Sequence, residues 1–240
     1  MCYLSFMEFK ISKEIFEHVP TLRVGVLMLS GVDNKVDVTD FFDREFGQVE
    51  KDVRAKFEGI ELSEYPLVRK WRDIYKSFGE KKARSSIEAL VKRVAAGKGL
   101  YRINPLVDIY NIASLKFELP FGGEDINMMS DSLELTIANG DEEFLCLGAT
   151  EVESPNKGEI IYKSGDVVVC RNFNYRESDI TKLTEDTSNA IIVIEDGMGC
   201  DEALNSALDW VSDKVVTLLS AKVERRIILS SDEREMISEA

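Results

Sequence analysis

The chain has 240 residues and a mass of 27.1 kDa, which suits one large domain or two small ones. Apolar residues make up 44% of it and charged residues 31%, a balance that excludes a disordered tail protein, a collagen and a membrane-spanning protein. The net charge of −14 argues against nucleic acid as a partner, because phosphate binding rests on Lys and Arg.

The N-terminal third predicts mixed strand and helix. Residues 22–30 are β-branched and aliphatic, which predicts a buried strand. Residues 38–57 predict a helix with Thr39 or Asp40 as its cap, because their apolar residues recur at spacings of three and four.

Two further helices are predicted before residue 100. Ser63 is typical of a helix cap, with Pro66 in the first turn and Gly79 at the end of that helix. Ser85 and Glu88 have the spacing of a capping box, which predicts the start of the next helix.

After Asn104 the pattern changes to short strand-like runs separated by turn residues. These runs are 132–138, 143–147, 159–163, 166–170 and 190–195. A helix at roughly 201–222, capped by Asp201, and a last strand at 225–230 are predicted to follow. Helices, then strands, then a helix, without a regular βαβ alternation, favour an α+β fold.

The cysteine and histidine counts argue against a zinc site, because no Cys-x-x-Cys pair is present. The residues concerned are Cys2, Cys146, Cys170, Cys200 and the single histidine, His18. Each cysteine is predicted to be a small buried residue in a cytoplasmic protein with reduced thiols. Nucleotide-binding loops and the serine-hydrolase elbow are also absent from the sequence. We therefore expect no metal and no cofactor.

Residues 69–102 form a basic stretch in an acidic chain. They carry eleven basic and three acidic side chains, so the net charge of the stretch is +8 and that of the remainder of the chain is −22. This distribution is compatible with a local anion-binding face, and also with two solvated helix faces that are basic by chance. Lys92 and Arg93 point away from the apolar stripe of their predicted helix, and with Arg84 they are our candidates for contact with RNA.

The stretch from Asn104 to Asp125 concentrates polar and turn-forming residues. Three polar residues lie three apart and share one face if the segment is helical, namely Asp108, Asn111 and Ser114. A tight turn before Asp125 is predicted to follow, formed by Pro120, Gly122 and Gly123.

A second informative stretch runs from Cys170 to Thr187. It alternates Arg171, Phe173 and Tyr175 with asparagine and arginine, which suits a planar or anionic ligand. Arginine binds phosphate or carboxylate with two parallel hydrogen bonds, and aromatic rings stack on a base or on an aromatic side chain. The alternative is a hairpin with cross-strand aromatic pairs and surface arginines.

Both stretches resemble the stand-alone B3/B4 domain proteins, which are relatives of the editing module in the β subunit of phenylalanyl-tRNA synthetase. The resemblance extends over roughly residues 65–195. The matching segments are residues 71–100, PLVDIYNIASL (105–115), LELTIANGDEEF (133–144), GEIIY (158–162) and CRNFNYRES (170–178).

The resemblance implies a cytoplasmic α+β protein with a single B3/B4-type domain over residues 1–240. A helical and strand-containing N-terminal part, about residues 1–100, is expected to pack on a mixed, barrel-like β core of about residues 101–230. The synthetase module hydrolyses tRNA that is wrongly charged with tyrosine.

Several residues match the family's functional positions. Asn111 matches the asparagine at the floor of the editing pocket, and Asp108 matches the aspartate just before it. Pro120 and Asp125 match the proline and aspartate of the family's QPLHAFD-like segment, and Gly122 stands where that segment has a histidine.

The RxWNWRQ-like motif of the stand-alone family is also changed. Phe173 and Tyr175 replace its tryptophans, and Glu177 replaces its glutamine. An added carboxylate at Glu177 would either repel a tRNA phosphate or serve as a base.

Three hypotheses follow. The first is a trans-editing hydrolase of mischarged aminoacyl-tRNA, with catalytic candidates Asn111, Asp108 and Glu177. Its candidates for substrate binding are Ser114, Pro120, Gly122, Asp125, Arg171, Asn174 and Arg176, of which Arg171, Asn174 and Arg176 would hold the terminal ribose-phosphate. The second is a non-catalytic tRNA-binding module, and the third is a sensor of a free aromatic amino acid. The expected partner is the acceptor end of tRNA or an aminoacyl-tRNA, with neither membrane nor DNA.

Overall fold

The computed structural model describes residues 7–130 and 132–236. Among them no helix is both long enough and apolar enough to cross a membrane. In chain order the elements are β1 (Glu8–Ile11), α1 (Lys13–His18), β2 (Arg23–Ser30), α2 (Thr39–Phe57), α3 (Pro66–Ser77), α4 (Ser86–Ala95), α5 (Pro105–Phe117), β3 (Phe121–Asp125), β4 (Ser132–Ile137), β5 (Ile160–Ser164), β6 (Val167–Arg171), β7 (Arg176–Glu177), β8 (Ala190–Asp196), α6 (Asp201–Leu219), β9 (Lys222–Leu229) and β10 (Glu235–Met236).

The larger sheet has six strands in the order β10-β1-β4-β5-β6-β7. Strands β1 and β4 are parallel, and the other described neighbours are antiparallel. Tyr162 lies opposite Cys170, and Cys170 lies opposite Glu177. Because directly opposite residues point to the same side of a sheet, these three side chains form one row on one face.

The smaller sheet has four antiparallel strands in the order β3-β8-β2-β9. Gly122 of β3 lies opposite Val193 of β8. Since side chains alternate between the faces of a strand, Glu124 and Glu195 share the face of Gly122 and Val193. Two acidic residues therefore lie beside Val193 on this face of the sheet.

Two asparagines fix the start of α5. The side-chain oxygen of Asn104 accepts a hydrogen bond from the Val107 N–H at 3.1 Å, which caps the helix. Asn34, which is 1% exposed, accepts from the Leu106 N–H and donates to the Thr184 carbonyl. These bonds tie the helix to the loop after β2 and to the loop before β8.

The α+β class predicted from the sequence is confirmed, whereas the barrel-like core is wrong. Within the described residues both sheets are open, and neither closes on itself. The strands at the two ends of the larger sheet, β7 and β10, have two residues each. Such short strands do not supply the continuous ladder that closes a barrel.

The tight turn predicted at Pro120, Gly122 and Gly123 is also wrong. Residues 121–125 form β3, which pairs with β8 over five residues, and neither glycine has a positive φ. Pairing with a buried strand outweighs the turn preference of glycine, because backbone preferences in strands depend on the neighbours.

The helix starts agree with the predictions at one cap and differ at three. Ser85 caps α4, since its hydroxyl accepts from the Glu88 N–H at 3.3 Å. Elsewhere Val38, Tyr65 and Cys200 precede α2, α3 and α6 and make no side-chain cap bond. The caps predicted at those starts were Thr39 or Asp40, Ser63 and Asp201; Thr39 and Asp201 are instead the first residues of their helices.

The cysteines differ in exposure, although all were predicted to be buried. Cys170 is buried, Cys146 is half-buried and Cys200 is exposed at the start of α6, while Cys2 lies outside the described residues. The predicted strand at 143–147 is reduced to isolated bridges.

Candidate functional site

A cavity of about 260 Å³ opens between the facing surfaces of the two sheets. The larger sheet contributes the row of Tyr162, Cys170 and Glu177, and the smaller sheet contributes Glu124 and Glu195. The remaining walls come from α5, the start of α4 and the connection between β6 and β7.

The two stretches singled out in the sequence meet at this cavity. Asn111 and Gly122 line it from the first stretch, and Asn174, Tyr175 and Glu177 line it from the second. A shared hollow is therefore present where the sequence places its candidate residues.

The connection between β6 and β7 is held by a buried aromatic cluster. Phe173 is fully buried and makes edge contacts with Trp71, Tyr75 and Phe78, at centroid distances of 5.5 to 6.4 Å. Its backbone has a φ of 58°, in the left-handed region that phenylalanine rarely adopts. This anchor fixes the next residue, Asn174, at the cavity wall.

Asn174 joins three elements through its side-chain amide. Its Oδ1 accepts from the Ser86 N–H of α4 at 2.8 Å, and its Nδ2 donates to Glu195 of β8. The Tyr162 hydroxyl donates to the other Glu195 oxygen at 2.7 Å. Glu195 is thus the polar junction between the two sheets.

The carboxyl groups of Glu124, Glu177 and Glu195 in the cavity wall are protonated more readily than those of ordinary glutamates. Burial raises the pKa of Glu177 to about 7. Burial also raises the pKa of Glu195 to about 7, although the hydrogen bonds that Glu195 accepts from Tyr162 and Asn174 oppose this shift. Burial, followed by the nearby Glu177 charge, raises the pKa of Glu124 well above its usual value. Glu177 is consequently poised to exchange a proton near neutral pH.

The space beside Gly122 faces Glu177. A Cβ placed on Gly122 would lie 3.8 Å from the Oε1 atom of Glu177 and in contact with nothing closer. In the family's segment a histidine stands at the position of Gly122. The carboxylate of Glu177 therefore lies next to the place where that side chain would start.

Four predicted site residues of the first stretch lie outside the cavity lining. Asp108 accepts hydrogen bonds from Arg102 at 2.6 Å and from the Ile103 N–H at 3.0 Å. The Ser114 hydroxyl donates to the Leu119 carbonyl at 2.6 Å, which closes the end of α5. The other two make backbone and buried side-chain bonds: the Pro120 carbonyl accepts from the Glu195 N–H, and Asp125 accepts from Thr187 and from the Asn127 N–H.

The two arginines of the second stretch are engaged by acidic residues. Arg171 is buried and binds Glu159 with two hydrogen bonds, of 2.5 and 2.6 Å, and also contacts Glu153. Arg176 pairs with the same Glu153 at 2.7 Å. Neither belongs to the cavity lining, because the Arg171–Arg176 pair follows the Cys170–Glu177 pair along the strands and therefore lies on the other face of the sheet.

The arginines of the basic stretch are engaged by acidic residues, backbone carbonyls or an aromatic ring. Arg84 shares Glu88 with Arg72 and donates to backbone carbonyls. Arg93 donates to the Gly99 carbonyl and stacks over the Tyr101 ring at 3.6 Å. Lys92 is exposed, and the described residues offer it no ion pair. The stretch reaches the cavity at Ser86, near its middle, and its last residue, Arg102, precedes the lining residue Ile103.

Sequence reasoning missed Glu124, Glu195 and Tyr162. Acidic residues are so abundant in this chain that a single carboxylate in the sequence does not indicate a functional site. The available signal was AIIVIED at 190–196, where an apolar strand ends in two acidic residues that are both buried. A carboxylate inside a buried strand is rare unless it has a partner or a role.

The B3/4 domain model matches residues 70–196 of this chain. The chain belongs to the B3/4 domain family. The matched residues contain α4, α5 and every carboxyl group of the cavity, so the B3/4 domain includes the site described above. The resemblance read from the sequence is thereby confirmed.

Comparison with solved structures finds an N-terminal fragment of the phenylalanyl-tRNA synthetase β subunit from Pyrococcus horikoshii. The two chains are 13% identical, with a TM-score of 0.47, over 92% of this chain and 54% of that one. This B3/4 domain chain thus spans about half the length of that fragment. A search of curated proteins finds no match.

Proposed function

We propose that this B3/4 domain protein hydrolyses mischarged aminoacyl-tRNA in trans, with the aminoacyl group held in the cavity between the sheets. The observation that carries the proposal is the position of Glu177, a half-buried carboxylate that faces the open space beside Gly122. A base whose pKa is near 7 is suited to proton transfer at neutral pH.

The reaction needs no covalent intermediate, because the ester between an amino acid and tRNA is already activated. Glu177 takes a proton from water as the water oxygen attacks the ester carbonyl carbon. The bond from that carbon to the ribose oxygen then breaks, and the ribose oxygen takes the proton from Glu177. The new carboxylic acid loses its proton to solvent.

Asn111 is the residue best placed to orient the ester. It projects from α5 into the cavity, and within the described residues its side chain makes no hydrogen bond. Its amide N–H is free to bind the carbonyl oxygen as negative charge develops there. One such donor contributes about a hundredfold or more to the rate of acyl transfer.

The acceptor end would enter at the mouth, between the start of α4 and the segment before α5. Ile103 and Tyr175 line this mouth and are 59% and 44% exposed. Single-stranded nucleotides stack on exposed aromatic rings, and the ring of Tyr175 is available for such a contact. Lys92 would then supply an unpaired positive charge on the adjacent helix.

The direct test uses purified protein and tyrosyl-tRNA charged on a phenylalanine-accepting tRNA, with release of free tyrosine as the readout. We expect release faster than in buffer, and a decrease of about a hundredfold or more for Glu177→Gln, because general base catalysis is lost. Asn111→Ala is expected to decrease the rate by about a hundredfold. Glu151→Gln, an equal charge change at an exposed residue, serves as the matched control.

A second function is favoured by Gly122, which stands where the family's segment has a histidine. It is a non-catalytic tRNA-binding module. Release of tyrosine at the rate of buffer alone, together with tRNA binding that weakens as salt increases, would establish this module and refute the hydrolase.

A further inference from the structure

The titratable side chains that line the cavity are acidic or neutral. Glu124, Glu177 and Glu195 supply three carboxyl groups. The other titratable lining residues are Tyr110, Tyr162, Tyr175 and Cys170. Burial raises the pKa of Tyr110, of Tyr162 and of the Cys170 thiol well above the usual values, so these groups are neutral. Within the described residues the lining contains no lysine, arginine or histidine.

The guanidinium groups beside the cavity do not compensate these carboxyl groups. Arg102 is bound to Asp108 next to the lining residue Ile103. Arg171 is bound to Glu159 next to the lining residue Cys170. Each of these cations is therefore matched by an anion outside the cavity.

We propose that the cavity accepts ammonium-bearing molecules that lack a carboxylate, such as an aminoacyl ester, and rejects the corresponding free amino acid. The inference rests on the proposed function, since it names the chemical class that the same site takes. It separates the ester substrate from its own hydrolysis product by charge.

The physical reason is the cost of an uncompensated buried anion. An ammonium group gains from an ionised glutamate beside it. A carboxylate in the same place loses its hydration, meets three carboxyl groups and finds no cation. The apolar walls, which include Val107, Val169 and Val193, suit the hydrocarbon part of either molecule and do not distinguish them.

The same asymmetry assists turnover. Hydrolysis converts a neutral ester carbonyl into a carboxylate inside the cavity. The product carboxylate is then repelled by Glu177 and Glu195 in their ionised forms. A free amino acid is accordingly expected to be a poor inhibitor of the deacylation reaction.

The test compares two molecules that differ only by a carboxylate. Calorimetric titration of the full chain at pH 7.5 would use phenethylamine and L-phenylalanine, with 3-phenylpropionate as the anion. We expect phenethylamine to bind at least about tenfold more tightly than phenylalanine, a difference of about 1.4 kcal/mol. Equal affinity, stronger binding of phenylalanine or 3-phenylpropionate, or no binding of phenethylamine would overturn the inference.

The variant Glu177→Gln identifies the origin of the selectivity. It is expected to decrease the preference for phenethylamine severalfold, whereas Glu151→Gln, on the surface, leaves the preference unchanged. Lowering the pH from 8 to 6 is expected to decrease the preference as well, because Glu177 and Glu195 take up protons in that range. A preference that is identical in both variants and at both pH values would contradict the role of these carboxyl groups.

The outcome separates this inference from the proposed function. Charge selectivity without deacylation would refute the hydrolase and leave the selectivity in place. Deacylation that millimolar phenylalanine inhibits strongly would support the hydrolase and refute the selectivity.

Discussion

At the scale of single residues, Glu177 combines two properties that seldom occur together. It is half-buried among apolar and acidic neighbours, which disfavours its charge, and it still faces open space beside Gly122. Burial without an opposite charge raises the pKa of a carboxyl group instead of lowering it. Glu177 therefore takes up a proton more readily than an ordinary glutamate.

The rate of deacylation is predicted to follow the ionisation of Glu177. A base acts in its deprotonated form, so the rate above that of buffer should increase with pH between 6 and 8 and level off beyond the pKa of about 7. The measurement is a pH profile of tyrosine release for the protein and for Glu177→Gln. A variant profile that keeps the same inflection would assign the titration to another group.

At the scale of elements, strand β3 decides which side chains reach the cavity. Its five residues pair with β8, and its two glycines make different contacts. A Cβ on Gly122 would meet only Glu177, at 3.8 Å, whereas a Cβ on Gly123 would lie 2.8 Å from Ile192 and 2.9 Å from Leu183. Close packing therefore favours glycine at position 123, whereas Gly122 leaves open space beside Glu177.

Alanine substitution is predicted to separate these two glycines. Gly123→Ala should decrease the free energy of unfolding by about 1 to 2 kcal/mol, because the added methyl group overpacks the core. Gly122→Ala should be neutral or slightly stabilising, since its φ suits alanine and the space is open. Urea unfolding midpoints of the two variants check this, and a larger loss for Gly122→Ala would contradict the assignment of faces.

At the scale of the whole molecule, charge is segregated along the chain. The net charge is −14, yet residues 69–102 are basic and end at the mouth of the cavity. The arginines of that stretch are held by acidic residues or carbonyls, so the positive charges that remain for a phosphate are those of its lysines. We expect tRNA affinity to depend on a small number of lysines and to show a shallow salt dependence.

Lys92 is predicted to be one of those lysines. Lys92→Gln should weaken tRNA binding and decrease the slope of log affinity against log salt by about 0.7 to 0.9, the value for one phosphate contact. Filter binding or fluorescence titration at several salt concentrations measures this. Lys157→Gln, an exposed lysine outside the basic stretch, provides the matched control, and an equal effect of both variants would point to a nonspecific charge effect.

Local sequence patterns were sufficient for α2, α3, α4 and α6 and for the buried strands β2 and β8. The spacing of apolar residues places α2, and Ser85 places the start of α4, because these signals depend on neighbours within one or two turns. The ordered motifs from residue 71 to residue 178 also identify the B3/4 domain. All of this information is contained in consecutive residues.

Only the tertiary structure decided which polar residues surround the cavity. Glu124, Glu177 and Glu195 come from three strands, and their convergence depends on the register of two sheets that face each other. For the same reason Arg171, which looks like a ligand-binding residue in the sequence, is bound by Glu159, twelve residues earlier in the chain. A one-residue change of register would reverse every side chain of a strand, and a single sequence does not specify register between distant strands.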